Sequence, residues 1–424
     1  MRILFIVILA GIAMAQAPTG QESAMLKAVD AEAPAAASFL ERLVNMNSGT
    51  FNPLGVRSVA DVLDTELRLL GFTTRLLSGD AVKRGPHLVA ERKGTHGKRV
   101  LLIGHMDTVF EPSNPFQRFS RAGDLAVGPG TDDMKGGLVV MLSALKAMQK
   151  ASALADTNIT VFITGDEEAA GDPISISRGA MIAAGKSNDY ALCFESAARR
   201  NGKDYGTISR RGAAQWEIRV RAKTGHSSQI FTDAMGDGAI YELSRILNAF
   251  YEQLREPNLT YSVGMVLGGN GIAVEPGDRA TVSGKPNIVP GEALAIGDVR
   301  ALSPEQVART KDKMQSILAK NLKGTTADLK FEDLYPPMPP TPGNVALLAK
   351  LNEVNKTLGE PEMEPLDPMQ RGAGDISFIA PYVDSISGMG AAGAGSHAAG
   401  ESIDLSRMPI QAKRAALLIY RLTR

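Results

Sequence analysis

The sequence contains very little cysteine and no excess of charge of either sign. Cys193 is the single cysteine among 424 residues, so an intramolecular disulfide is impossible and a disulfide-stapled scaffold is excluded. Lysine and arginine together number 46, as do aspartate and glutamate, and the pI is ≈ 7.0. Because proteins that bind nucleic acid usually carry a basic face, we expect no nucleic acid among the partners.

An apolar segment at the N-terminus has the layout of a secretory signal peptide. MRILFIVILAGIAMAQA has one arginine, an apolar run over Ile3–Ile12 and Ala-x-Ala sites ending at Ala15 and Ala17, and it is too short to remain as a membrane span. We therefore predict that residues 1–17 are a signal peptide, cleaved after Ala15 rather than Ala17 because Pro18 follows the second site. The mature protein is then periplasmic or secreted, without a membrane segment. A disordered or buried N-terminal helix is the alternative.

Apolar strands alternate with helical segments along the first half of the chain. From about Ala33, FLERLVNMNS and VRSVADVLDTELRLLGF show helical spacing. HLVAER, RVLLIGH, ITVFITG and YALCFE are typical of buried strands, with MKGGLVVMLSALKAMQK as a helix between them. The pattern predicts an α/β domain with a mixed, largely parallel sheet and helices on both faces.

The pattern changes near residue 212. The predicted order there is β-α-β-β-α-β, with AQWEIRVRA, LTYSVGMVLG, EALAIGDVRAL and TADLKFEDL as strands. This order predicts a ferredoxin-like domain at residues 212–334, which ends at the proline-rich YPPMPPTPG. The domain would be inserted between two pieces of one larger domain, residues 18–211 and 335–424.

Two motifs at predicted strand ends offer metal ligands. LLIGHMDTVF puts His105 and Asp107 on one face of a strand end, which suits a metal-binding histidine oriented by a carboxylate, or simply a loop histidine near an acid. VGPGTDDMKGG places Asp132 and Asp133 between glycines ahead of a helix. A glycine-rich turn could instead hold phosphate, but the GxxxxGK[ST] spacing is absent and acids favour a divalent cation.

Three adjacent acids follow another strand in ITGDEEAAGD. On its own such a triplet could be a solvated turn. If the preceding motifs bind metal, Glu167 and Glu168 can take different roles, one as ligand and one as base, because neighbouring side chains point apart. CFESA and AGAGSHAAGES add Glu195 and His397. Such nitrogen and oxygen ligands fit a two-zinc site with a bridging aspartate, with cobalt or manganese as alternatives.

From about Ala28 to the C-terminus the chain resembles a known family. GHMDTV, GPGTDDMKGG, GDEEAAG, FES and GSH, in this order, resemble the M20 family of zinc metallopeptidases. FLERLVNMNSGT and ELRLLGF are similar to its bacterial glutamate carboxypeptidases of the carboxypeptidase G2 type. The resemblance implies that Glu167 is the general base, that Asp107 is the partner of His105, and that a cis peptide bond joins a bridging Asp133 to Met134. The metal ligands that it implies are His105, Asp133, Glu168, Glu195 and His397.

The resemblance also implies a role for the inserted domain, as the lid and dimerisation domain of a homodimer. AKTGHSSQI puts His226 where the family has an oxyanion-stabilising histidine supplied by the partner subunit. KPNIVPGEALAIGDVR matches the family pattern that gives Asn287 and Arg300 as contacts to the substrate carboxylate.

One stretch departs from the pattern expected of a glutamate-releasing enzyme. Such an enzyme should present a cation to the substrate side chain, yet the return strand of the lid carries Glu332, Asp333 and Tyr335. Arg210 and Arg211, at the other lid junction, could supply the cation instead. Glutamate specificity is therefore left open.

These observations favour one function and leave two alternatives. We expect a two-zinc carboxypeptidase that releases a C-terminal amino acid from a small peptide or N-acyl substrate, with water activated at the metals and Glu167 as general base. An N-acyl-amino-acid deacylase of the acetylornithine deacetylase or aminoacylase type is the alternative within the family. A binding protein that has lost its metals is disfavoured because no implied ligand or base is replaced. The preferred side chain, the acyl group and the native metal stay open.

Overall fold

The computed structural model describes residues 17–275 and 279–424. The predicted signal peptide, apart from residue 17, lies outside this part of the chain. Within the described residues, no helix combines the length and the apolar character needed to cross a membrane.

Helices and strands alternate through most of the described residues, and each is numbered here along the chain. The helices are α1 (Gly20–Val44), α2 (Pro53–Leu69), α3 (Gly136–Lys150), α4 (Ile174–Ser177), α5 (Gly179–Lys186), α6 (Ala239–Gln253), α7 (Pro304–Leu318), α8 (Pro342–Leu358) and α9 (Met408–Leu422). The strands are β1 (Thr73–Leu77), β2 (His87–Arg92), β3 (His96–His105), β4 (Ser120–Ala122), β5 (Leu125–Val127), β6 (Thr157–Thr164), β7 (Tyr190–Cys193), β8 (Ala198–Arg200), β9 (Lys203–Gly206), β10 (Ala213–Ala222), β11 (Gly225–His226), β12 (Thr260–Glu275), β13 (Arg279–Ser283), β14 (Ile288–Val289), β15 (Glu292–Arg300), β16 (Thr325–Tyr335), β17 (Glu364–Pro365), β18 (Asp384–Ile386), β19 (Gly393–Ala394) and β20 (Ser402–Asp404).

A six-stranded sheet in the order β1-β2-β6-β3-β7-β18 forms the centre of the larger domain. β6, β3, β7 and β18 run parallel, whereas β2 is antiparallel to both of its neighbours. The prediction of a mixed, largely parallel sheet is confirmed. His105 pairs with Thr164, and Ile103 pairs with Cys193, so the chain leaves β3, β6 and β7 at the same edge of the sheet.

Both faces of this sheet are buried, as the continuous apolar strands predict. Along β3, Val100 and Leu102 belong to a core shared with α1, α3 and α9. Leu101 and Ile103 point the other way, into a second core that includes Met181 of α5. The polar residues that follow the central strands are therefore attached to segments packed on both faces.

The first helix is longer than the sequence pattern predicts. A helix is expected from about Ala33, but α1 begins at Gly20. The Thr19 side chain accepts a hydrogen bond from the Glu22 N–H, and the Glu22 carboxylate accepts one from the Thr19 N–H at 2.8 Å, which is a capping box. Pro34 lies inside the helix and interrupts the pattern that would reveal the earlier start.

The inserted domain is an antiparallel five-stranded sheet in the order β13-β12-β15-β10-β16, with α6 and α7. Without β13, the strand order is that of the predicted ferredoxin-like domain. β13, an edge strand that pairs antiparallel with β12, is an addition that the sequence pattern did not predict. Trp216 lies at the centre of this domain, 1% exposed and edge-on to Phe250.

The two chain segments that join the inserted domain to the larger one pair antiparallel through their backbones. The Arg210 N–H donates to the Met338 carbonyl at 2.9 Å, and the Met338 N–H returns a bond to Arg210 at 2.8 Å. These backbone bonds lie beside the predicted boundaries at residues 212 and 335.

Candidate metal centre

The sheet edge where β3, β6 and β7 end collects most of the predicted ligands. His105 is the last residue of β3, the acid triplet begins two residues after β6, and Glu195 lies two residues after β7. Parallel strands that end at one edge bring these side chains together without any sequence proximity. The topology therefore explains why motifs far apart in the chain meet in space.

The ligand atoms form two groups that share Asp133. In the first, His105 Nε2 lies 3.0 Å from Asp133 Oδ1 and 3.5 Å from Glu195 Oε1. In the second, His397 Nε2 lies 3.1 Å from Asp133 Oδ2 and 3.0 Å from Glu168 Oε2. Each group offers three ligand atoms within 4.8 Å of one another. The structure thus brings all five predicted ligands together, and their metal-binding roles stay a prediction.

The chemistry of the ligand atoms fits a pair of divalent cations. One imidazole and carboxylates from two acids face each of two positions, and Asp133 turns one oxygen to each. Imidazole and carboxylate without thiolate suit zinc, with cobalt and manganese as neighbours in ligand preference. Without cations, the Asp133 carboxylate would repel those of Glu168 and Glu195, which lie on either side of it, and a divalent cation in each group would relieve this repulsion.

Asp107 holds the backbone of the acid triplet as well as contacting His105. Its carboxylate accepts hydrogen bonds from the N–H groups of Glu167 at 3.0 Å and Glu168 at 3.1 Å, and from the Thr50 hydroxyl at 2.7 Å. His105 Nδ1 lies closer to the Asp107 backbone carbonyl, at 3.1 Å, than to its carboxylate, at 3.5 Å. The residue therefore orients the histidine mainly through its backbone, and its carboxylate is directed to the acid segment.

The Glu167 side chain lies beside the ligand groups but belongs to neither. Among the described residues, no hydrogen bond to its carboxylate is found, although its backbone is bonded on both sides. Burial raises the pKa of Glu167 well above its ordinary value; His105 opposes this rise and nearby carboxylates reinforce it. A carboxylate made more basic in this way is suited to accept a proton.

The turn that carries Asp133 is held by Glu401, which the sequence motifs did not single out. The buried Glu401 carboxylate accepts the N–H groups of Gly130 at 3.2 Å, Asp132 at 2.7 Å and Asp133 at 2.8 Å. Burial raises the pKa of Glu401 to about 7. Gly130 has φ +76°, and an added Cβ would meet Thr108 at 2.7 Å, so the turn requires glycine here. The peptide bond from Asp133 to Met134 is cis.

The other aspartate of this turn reaches the loop that carries His397. The Ser396 hydroxyl donates to Asp132 Oδ2 at 2.8 Å, and the Ser196 hydroxyl donates to the Asp132 carbonyl at 3.2 Å. Asp132 therefore links both ligand-bearing loops to the turn. The sequence drew attention to Asp132 because it precedes Asp133. Its hydrogen-bond partners, Ser196 and Ser396, lie 64 and 264 positions away and could not be predicted from the sequence pattern.

Asp166, the first acid of the triplet, is not a ligand. It pairs with the fully buried Arg178, whose Nε also bonds Asp375 Oδ1 at 2.7 Å. The Thr164 hydroxyl donates to the other Asp375 oxygen at 2.6 Å. The first acid of the triplet therefore belongs to a buried ion-pair network, and the two acids that follow it lie at the candidate metal site.

Arg210, which could have faced a substrate side chain, is turned to the protein instead. Its guanidinium donates to the Gly372 carbonyl at 2.8 Å and lies 3.7 Å from Glu195 Oε2. Arg211 donates to the Thr260 hydroxyl at 2.6 Å, and its buried Nε has no hydrogen-bond partner among the described residues. Asp333 is one of the two acidic residues found in the lid strand where a cation was expected. Its Oδ1 lies 2.6 Å from Lys311 Nζ.

The predicted substrate-binding residues lie in the inserted domain and contact their own neighbours. His226 is exposed, with Nδ1 2.9 Å from the Ser228 hydroxyl. Arg300 Nε bonds Asp298 at 3.0 Å, and the Asn287 carbonyl accepts from Ser227 at 3.1 Å. The structure does not bring these three into the ligand cluster of the same chain, and their substrate roles stay predictions.

Comparison with known proteins gives relatives of matching length. Carboxypeptidase G2 from Pseudomonas sp. (strain RS-16) is 28% identical over 423 residues, covering 97% of this chain and 94% of the relative. A succinyl-diaminopimelate desuccinylase from Gluconacetobacter diazotrophicus is 26% identical over 353 residues, covering 81% and 86%. The crystal structure of an M20 family metallo-carboxypeptidase from Sulfolobus solfataricus superimposes with a TM-score of 0.67 at 18% identity, covering 91% of this chain and 98% of the other.

A family model matches about three quarters of the chain. The model of peptidase family M20/M25/M40 matches residues 101–421, which include every predicted ligand and the whole inserted domain. The family predicted from the motifs is confirmed. The prediction that the protein is a hydrolytic enzyme is confirmed with it. The chain belongs to peptidase family M20/M25/M40.

Proposed function

We propose that the protein is a two-zinc carboxypeptidase that hydrolyses an amide bond and releases a C-terminal amino acid from a small peptide or N-acyl amino acid. The observation that carries this proposal is the sharing of Asp133 between two ligand groups, with the free Glu167 carboxylate beside them. Similarity to Carboxypeptidase G2 along nearly the whole chain supports the carboxypeptidase reaction.

The five ligands would hold the metal pair, and each residue beside them has a defined task. A zinc pair supplies Lewis acidity that activates water and polarises the scissile carbonyl. Glu167 accepts the proton of the attacking water and passes it to the departing amine nitrogen. Asp107 fixes the Glu167 backbone, so the carboxylate needs little reorganisation to reach that proton.

The inserted domain would complete the site in a homodimer. His226 would reach the active site of the other subunit and donate to the carbonyl oxygen as negative charge develops there. Asn287 and Arg300 would bind the substrate carboxylate. Exposure of His226 on its own subunit supports this proposal, since a donor that acts in trans must be free to meet a partner.

We also propose that residues 1–17 are removed during export and that the mature enzyme works in the periplasm or outside the cell. The layout of the segment supports this proposal. Mass spectrometry of the mature N-terminus, after cell fractionation, tests it. A cytoplasmic protein that retains Met1 would contradict it.

An N-acyl-amino-acid deacylase is the second candidate, favoured by the succinyl-diaminopimelate desuccinylase relative. One assay separates the two. Purified protein is stripped with a chelator, reloaded with zinc, and offered dipeptides, N-acyl dipeptides and N-acyl amino acids. A carboxypeptidase should cleave substrates whose scissile nitrogen belongs to a free C-terminal residue and accept a peptidyl acyl part. A deacylase should accept small acyl groups only.

Metal analysis belongs to the same experiment. Zinc-loaded protein should approach two equivalents per chain, and a variant lacking Asp133 should lose both because each group uses one of its oxygens. Absence of bound metal after loading, or hydrolysis that survives complete metal removal, would contradict the proposal.

A further inference from the structure

Tyr335, at the junction between the inserted domain and the larger one, contacts the backbone of the proposed base. It is the last residue of β16, the strand by which the chain leaves the inserted domain. Its hydroxyl donates a hydrogen bond to the backbone carbonyl of Glu167, 168 positions earlier in the chain. The sequence showed Tyr335 only as a departure from the expected cation, without indicating this contact.

The Glu167 residue is consequently held on both sides of its α-carbon. Its N–H donates to Asp107 Oδ1 at 3.0 Å, and its carbonyl accepts from Tyr335. The next N–H, that of Glu168, donates to the other Asp107 oxygen at 3.1 Å. The three bonds together fix the direction in which the Glu167 side chain leaves the backbone, and they leave its carboxylate free to act.

The surroundings of Tyr335 hold the hydroxyl in place. The ring packs against Phe378, with centroids 5.3 Å apart, and the Arg178 guanidinium lies over the same Phe378 ring at 5.7 Å. On its other side, β16 pairs with β10 through Ala213. Burial raises the pKa of Tyr335 well above its ordinary value, so the hydroxyl keeps its proton and stays a donor throughout the physiological range.

The strand that carries Tyr335 also borders a cavity next to the ligand groups. This cavity of about 310 Å³ is lined by Glu168, Asp172, Ile174, Glu332 and Tyr335, among others. The same strand thus touches the space beside a predicted ligand and the backbone of the base.

We propose that Tyr335 is a positioning residue for Glu167, through which the return strand of the inserted domain fixes the orientation of the base. The inference rests on the proposed role of Glu167. When the hydroxyl is present, the Glu167 carbonyl has one orientation. Without it, only the two N–H bonds to Asp107 restrain this segment, and the carbonyl is free to turn. Displacement of a reacting group by about 1 Å can cost on the order of 100-fold in rate, so the bond matters to turnover more than to binding.

Tyr335→Phe tests the proposal by deleting one oxygen while keeping the ring against Phe378. We expect kcat to fall by about 10-fold or more, with KM, zinc content and melting temperature close to those of the wild type. Tyr382→Phe is the matched control, because it deletes the hydroxyl of a tyrosine that is 48% exposed. A Tyr335→Phe enzyme with the kcat of Tyr382→Phe would overturn the proposal.

A double-mutant cycle separates positioning from a general packing defect. In a Glu167→Gln background there is no base to orient, so Tyr335→Phe should leave the residual rate unchanged. The same fold-reduction in both backgrounds would show that Tyr335 supports the fold and not the base, and would overturn the proposal even if the single variant were unstable. Failure of the proposed function looks different, since the wild type would then hydrolyse none of the substrates or Glu167→Gln would stay fully active.

Discussion

Replacing Arg178 with methionine should destabilise the larger domain more than any exposed ion pair could. Arg178 and Asp166 are both fully buried, and the Asp375 side chain is only 3% exposed. The guanidinium donates to both carboxylates and, at 3.1 Å, to the Asp166 backbone carbonyl. Methionine has similar length but no donors, so two carboxylates would lose their shared cation without access to water.

The magnitude follows from that burial. Removing one partner of a buried ion pair costs about 3–5 kcal/mol, because the remaining charge is left uncompensated. Burial alone would lower the pKa of Arg178, but the two aspartates reverse this and raise it, so the group is charged at every working pH. Arg178→Lys keeps one charge but cannot bond both aspartates in the same fork, and we expect it to fall between methionine and wild type.

Urea unfolding followed by far-UV circular dichroism measures the loss. Fluorescence would be misleading, because Trp216, the single tryptophan, lies in the inserted domain. Arg221→Met is the matched control: Arg221 pairs with Asp328 while both side chains are about 60% exposed, so we expect a loss within about 1 kcal/mol. A shift of the urea midpoint by Arg178→Met that is no larger than the shift by Arg221→Met would show that the buried Arg178 ion pairs do not stabilise the larger domain.

Three further predictions concern catalysis, assembly and pH. Glu167→Gln should lower kcat by roughly 10²–10⁴-fold with full zinc content, whereas Glu168→Gln should also lose zinc; near-normal turnover of the first would refute its role as base. Mixing Glu167→Gln with His226→Ala protein should restore part of the activity through heterodimers; confirmed subunit exchange without recovery would exclude action of His226 in trans. Hydrogen bonds from Arg99 lower the pKa of Asp189 from 3.8 to about 2, so this pair stabilises the fold fully above pH 3.8 and its contribution disappears as the pH falls towards 2. Unfolding of Asp189→Asn should accordingly differ from wild type at pH 6 and converge with it near pH 2.

The parts of the site that the sequence predicted are those that depend on local pattern. Apolar runs located the strands, and the polar residues at their ends, from His105 to Glu195, were identified because parallel strands end together. Arg178, Tyr335 and Glu401 were not identified, because their roles depend on partners 12, 168 and 268 positions away. A buried carboxylate or hydroxyl shows no periodicity of its own, so its partner is visible only in three dimensions.

Elsewhere the sequence and the structure differ for local reasons. The start of α1 was predicted too late because Pro34, inside the helix, interrupts the apolar spacing. The helix in fact begins after the capping box formed by Thr19 and Glu22. The edge strand β13 was missed because its five residues are largely exposed and carry little alternation of burial. Neither difference involves a predicted ligand, since one concerns the first turns of α1 and the other an edge strand of the inserted domain.

The three hydrogen bonds accepted by Glu401 also set the order in which the protein can be built. Its partners, Gly130, Asp132 and Asp133, are synthesised 268 to 271 residues earlier. A ribosome must therefore complete the inserted domain and most of the second catalytic piece before this turn can gain its acceptor. A nascent chain that ends within the inserted domain already contains four of the five predicted ligands, but neither His397 nor the carboxylate that shapes the turn. Under the proposed assignment, the second ligand group is complete only once the chain has been synthesised past His397, and the turn gains its acceptor four residues later, at Glu401.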